Sequence, residues 1–129
     1  MNKIKKMIIA CDGESASGKS TAAKLVSKKY KLLLVNSGLL YRFCSKLVIS
    51  QKPKNVTEFI KKRFDTVSYN TISKQSLHSE KISNHVAYLA KNKKIREIVN
   101  KFQKKIIKSH NRVCVEGRDI ASKILSKNP

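Results

Sequence analysis

Three short apolar runs, Met7 to Cys11, Leu32 to Val35 and Val113 to Val115, stand out from a chain otherwise written in helical period. Each run is continuous rather than alternating, and each is followed within a few residues by a small or charged one. Strands of that kind, separated by helical segments, predict a parallel sheet covered on both faces. A helix is expected from about residue 18 to 29 and another from about 38 to 50, after which Lys52-Pro53-Lys54-Asn55 breaks the pattern. Residues 56 to 64 read as a short helix. Residues 65 to 77, rich in Ser, Thr, Tyr and Asn, carry weak strand signals and no clear period. Beyond them Ile82, Val86, Leu89 and Ala90 mark one helical face, with Ser79 placed to cap it. Ile95, Ile98, Val99, Phe102 and Ile106 mark a second face at i, i+3, i+4, i+7 and i+11. With no repeat and no Gly/Ser linker, the expectation is one α/β domain over residues 1–129, carrying an insertion at 51–78.

Between the first strand and the first helix lies Gly13-Glu14-Ser15-Ala16-Ser17-Gly18-Lys19-Ser20, which fits G-x-x-x-x-G-K-[ST] at every fixed position. Glycines let such a loop wrap closely on phosphates, so that backbone N–H groups and the helix N-terminus point at the anion. Lys19 adds a mobile charge for the β- and γ-phosphates, and the Ser20 hydroxyl adds an oxygen ligand for Mg²⁺. Thr21 continues into the helix. Four fixed positions can also recur in an ordinary glycine-bearing turn; the order strand, loop, helix favours the phosphate reading. Residues 13 to 21 are therefore the expected binding site for a nucleotide triphosphate.

The formal net charge of +21 would by itself suggest nucleic acid or an anionic surface. Only five of the 29 basic residues are arginine, however, and the lysines are spread along the chain among Asn and Ile. That distribution resembles a compositional bias more than a designed patch, so no specific nucleic-acid partner is expected. Cys11, Cys44 and Cys114 are odd in number, lack C-x-x-C spacing and sit beside apolar residues, as buried, reduced thiols of a cytoplasmic protein would. Lys3, Lys5 and Lys6 ahead of an apolar stretch ending in Cys11 imitate a lipoprotein signal, but a secretory core needs about 7 to 15 apolar residues. No stretch approaches transmembrane length, and a monomer without a membrane partner is expected.

The phosphate loop does not choose a reaction. Asn36-Ser37-Gly38-Leu39-Leu40-Tyr41-Arg42 follows the second strand, and Glu116-Gly117-Arg118-Asp119 follows the third, at strand ends where loops of parallel sheets converge. Arg96 falls off the apolar face of its helix, and no N-K-x-D guanine reader is present. Arginine grips phosphate bidentately and keeps its charge. Any one of these arginines could be an ordinary solvated side chain. Together, Arg42, Arg96 and Arg118 suggest a second phosphate site opposite the triphosphate cradle, which is what phosphoryl transfer between nucleotides requires.

IIACDGESASGKST, VNSGLLYR, SEKISNHVAYLAKNKKIREIV and VEGRDIA occur in the order found in cytidylate (CMP) kinases of the bacterial type, and the chain resembles that family. The resemblance implies a three-layer P-loop nucleotide kinase fold that passes the γ-phosphoryl group of Mg·ATP to CMP, and to dCMP, giving CDP and ADP. It implies that Asn36, Ser37, Arg42, Arg96, Arg118 and Asp119 contact CMP, the arginines at its phosphate and Asp119 at its sugar. Lys19 and Arg118 would be catalytic, and Ser20 and Glu116 would serve the metal. Several positions depart from the family pattern. Asn36 and Glu116 each replace an aspartate, Ala87 falls where a serine is expected and His78 where an arginine is expected. Family members also continue past the G-R-D element with further strands and an arginine-bearing lid, so the expectation is an amino-terminal portion truncated after the third core strand. A kinase for another monophosphate, an inactive nucleotide-binding fragment and a basic RNA-binding protein remain open at this point.

Overall fold

The computed structural model describes residues 6–12 and 19–117. It places strand β1 at Met7–Asp12, helix α1 at Lys19–Tyr30, β2 at Leu33–Asn36 and α2 at Ser37–Gln51. Helices α3 (Val56–Thr66), α4 (Tyr69–Ser73), α5 (Glu80–Ala90) and α6 (Lys93–Ser109) follow, and β3 (Arg112–Gly117) comes last. All strand pairings among the described residues are parallel, in the order β1-β3-β2. The strand latest in sequence is therefore central. This explains its unbroken apolar run, since Val113, Cys114 and Val115 are wholly buried. Among the described residues β1 and β2 lie at the two edges.

Close contacts divide the described chain into two compact units, one of residues up to 37 together with those from 103, the other of residues 38–102. In the first, α1 lies on the sheet: Ala23, Leu32 and Cys114 are buried, with Met7, Ile9, Cys11, Val26 and Leu34 packed against them. The cysteine sulfurs of Cys11 and Cys114 lie 3.8 Å apart. Cys44 and Cys114 are buried as expected, but Cys11 is only half-buried, because β1 has a neighbour on one side only among the described residues.

The second unit is helical around Leu40, Phe43, Ile60, Phe64, Ile72, Leu77, Ile82, Leu89, Ile95, Val99 and Phe102. Phe64 stands edge-on to Phe43 at 5.8 Å and tilted against Phe102 at 4.7 Å, geometries that suit the ring quadrupole. Short polar side chains fix where its helices begin. Asn55 accepts from the Glu58 N–H, Ser79 from the Ile82 N–H, and Asn92 from the Lys94 and Ile95 N–H groups. One expectation is corrected: residues 65–77 hold no strand but the short helix α4, which Ser68 caps through the Thr71 N–H and which buries Ile72. Five residues are too few to display a period.

Two helix ends are closed by lysine in the left-handed region, Lys31 at φ 55° and Lys52 at φ 46°. Leu32 N–H returns to the Ser27 carbonyl and Lys52 N–H to the Val48 carbonyl, the bonding patterns that usually carry glycine at this position. A side chain there costs about 1 to 2 kcal/mol, against about 0.5 to 1 kcal/mol for the extra freedom of an unfolded glycine. Lys52→Gly is thus expected to stabilise the protein by about 0.5 to 1 kcal/mol, seen as a higher urea midpoint at unchanged slope.

A larger gain is expected from α6. Gln103 is 1% exposed, and among the described residues neither its Nε2 nor its Oε1 has a hydrogen-bond partner. A buried polar group left unbonded costs about 1 to 3 kcal/mol. Gln103→Met, of similar shape, should return most of that. The same urea titration tests it, and a lowered midpoint would show that the amide does useful work.

Candidate active site

Parallel pairing brings the carboxyl ends of the three strands to one edge of the sheet. Cys11 and Asn36 both pair with Glu116, and Asp12 pairs with Gly117. The phosphate-loop sequence leaves from β1 at that edge, and Lys19 and Ser20 are the first two residues of α1. Residues 13–18, with their expected phosphate contacts, lie outside the described residues, as do Arg118 and Asp119.

The side chains of a strand alternate between faces. Cys114 faces α1, so Glu116, two residues on, stands on the α1 side of the sheet near its carboxyl edge. Glu116 is 3% exposed, and its Oε1 accepts a hydrogen bond of 2.6 Å from the Asn36 amide. Ser37 follows at the start of α2 and is buried. The structure therefore brings together two of the predicted residues, Asn36 and Glu116, that are 80 positions apart in sequence.

Arg42 and Arg96 belong to the helical unit. Arg42 is not loosely solvated: its Nη1 donates to the Leu77 carbonyl at 3.1 Å and to Ser83 Oγ at 2.8 Å, tying α2 to the start of α5. Arg96 lies in the first turns of α6 with its side chain exposed. It is close enough to Tyr41 to act on it electrostatically. Burial pushes the Tyr41 phenol up to about 12, Cys44 adds to the rise and the Arg96 charge opposes it. Burial likewise pushes the Cys44 thiol up, which keeps it neutral and unreactive. Tyr41 and Ser83 are neighbours of the two arginines that the sequence did not single out. Tyr41 could have been found from its place beside Arg42, whereas nothing local marks Ser83.

On α5, His85 Nδ1 lies 3.0 Å from Ser45 Oγ of α2. His78 and Ala87, two positions that depart from the family pattern, are both exposed. Among the described residues no group of three or more His, Cys, Asp or Glu side chains could hold a metal. The Glu116 carboxylate is an oxygen donor of the kind that suits Mg²⁺, which keeps several waters and relies on substrate phosphates for other ligands.

A parallel β1-β3-β2 sheet, with a phosphate-loop sequence between its first strand and first helix, places the chain among P-loop nucleotide kinases. The cytidylate kinase family model matches residues 9–129, and the chain belongs to that family. It is 33% identical over 135 residues to the cytidylate kinase of Aquifex aeolicus (strain VF5), covering 95% of this chain and 60% of that protein. Against the cytidylate kinase of Mesomycoplasma hyopneumoniae (strain 7448) the identity is 32% over 133 residues, covering 94% and 58%. The bifunctional pantoate ligase/cytidylate kinase of Prochlorococcus marinus (strain AS9601) is 38% identical over 133 residues, covering 91% of this chain and 26% of that protein. The chain thus spans at most 60% of the length of these relatives. No helix among the described residues is long and apolar enough to cross a membrane.

Proposed function

We propose that the protein is a nucleoside monophosphate kinase that moves the γ-phosphoryl group of Mg·ATP to CMP or dCMP. The observation that carries this reading is the strand order. With β3 between β1 and β2, the segments GESASGKS, NSGLLYR and EGRD all leave from neighbouring strand ends, the edge of a parallel sheet where ligands bind. Residues 13 to 21 hold the donor phosphates, with Lys19 following the transferred group. Arg42, Arg96 and Arg118 take the acceptor phosphate, while Asn36, Ser37 and Asp119 serve the nucleoside side. Ser20 and Glu116 would hold the Mg²⁺ of Mg·ATP, which would neutralise charge on the donor phosphates. There is little covalent chemistry for side chains to perform in such a transfer; the work is alignment and charge.

Phosphoryl transfer with a panel of acceptors tests it. CMP and dCMP are expected to be phosphorylated in preference to UMP and AMP, with ADP formed in equal amount. Preference for another monophosphate would reassign the acceptor. RNA binding that survives Lys19→Ala, with no nucleotide affinity in the unaltered chain, would point to the basic-protein reading instead.

A further inference from the structure

The Asn36–Glu116 contact assigns a role to a residue that sequence reading gave to CMP. Glu116 is buried on the α1 side of the sheet end, and a carboxylate in that position needs donors. Asn36 is its register partner on β2, and its Nδ2 donates across the strand pair at 2.6 Å. The Asn36 amide is a neutral donor that meets that need. An aspartate at this position would set two acceptors against each other at hydrogen-bond distance.

We infer that Asn36 is a positioning residue, whose amide holds the Glu116 carboxylate on the α1 side of the sheet edge and so presets the oxygen donor that serves Mg·ATP. The inference rests on the proposed kinase reading. It differs from a purely structural bond in one measurable respect: the bond must matter to how strongly Mg²⁺ promotes ATP binding. The swap Asn36→Asp with Glu116→Gln separates the two roles. It preserves an amide-to-carboxylate bond between β2 and β3, but moves the charge by one strand spacing, about 4.8 Å. Because β2 lies on the side of β3 away from β1, the charge moves away from the strand that leads into the phosphate loop.

Calorimetry of ATP on the full chain, with Mg²⁺ and then with EDTA, gives the factor by which Mg²⁺ strengthens binding. In EDTA, ATP binding by Asn36→Ala and by the swap gives each variant its own baseline, so the Mg²⁺ factor is read as a ratio within each protein. The Mg²⁺ factor should fall about tenfold in both, the lower end of what a hydrogen bond to a charged group contributes. Thermal unfolding should show the swap melting within a few degrees of the unaltered chain, so that its lost Mg²⁺ factor is not a folding defect. An unchanged Mg²⁺ factor in the swap would overturn the inference and leave the bond merely structural, even if Asn36→Ala failed to fold. Absence of ATP binding by the unaltered chain would remove the kinase reading and the inference with it, whereas ATP binding with equal Mg²⁺ factors throughout removes the inference alone.

Discussion

Lys19→Ala is expected to lower the affinity for ATP about a hundredfold while leaving that for CMP within about twofold. Lys19 is the first residue of α1 and the lysine of the phosphate-loop sequence. In the proposed site its ammonium serves the β- and γ-phosphates. Charge-assisted hydrogen bonds contribute about 1.5 to 3 kcal/mol each, and 2.7 kcal/mol is about a hundredfold. The acceptor is held by different side chains, so its loss should be near zero by the additivity of separate sites. Calorimetry with each ligand checks this. Equal losses for ATP and CMP would mean that Lys19 does not belong to a donor cradle.

The second large effect is on the acceptor. Arg96→Lys should weaken CMP at least about tenfold and leave cytidine within about twofold, because a point charge cannot replace a bidentate grip on phosphate. Arg118→Lys should do the same. Arg96 is the cleaner site for this test, since its side chain is exposed. Arg42 is not, because its Nη1 is already committed to the Leu77 carbonyl and Ser83. Removing Arg42 would loosen the join between α2 and α5 along with any phosphate contact. Parallel losses of CMP and cytidine on changing Arg96 would show that it shapes the fold around α6 and does not hold phosphate.

Much of this architecture could be read from residue order. The three apolar runs became the three strands, each within a few residues, because buried parallel strands need continuous apolar sequence. Caps at Ser79 and the stripe from Ile95 to Ile106 located α5 and α6 for equally local reasons. What escaped was set by partners distant in sequence. The helix α4 is held by one cap and one buried isoleucine, and Asp65 to Leu77 offered no period by which to find it. Asn36 and Glu116 stood out separately as departures from the family pattern. Only the β2–β3 register shows that they are one contact, an amide placed against the longer acid. In the same way, no reading of the Tyr41-Arg42 pair could reveal that Arg42 is tied down while Arg96 stands exposed close to Tyr41.

The central claim is that one chain holds a donor triphosphate and an acceptor monophosphate at the same time. Titrating CMP into the full chain already saturated with Mg²⁺ and a non-hydrolysable ATP analogue tests it most directly. The account predicts one CMP bound per chain, with AMP binding more weakly. Displacement of the analogue by CMP, or no CMP binding at all, would contradict it.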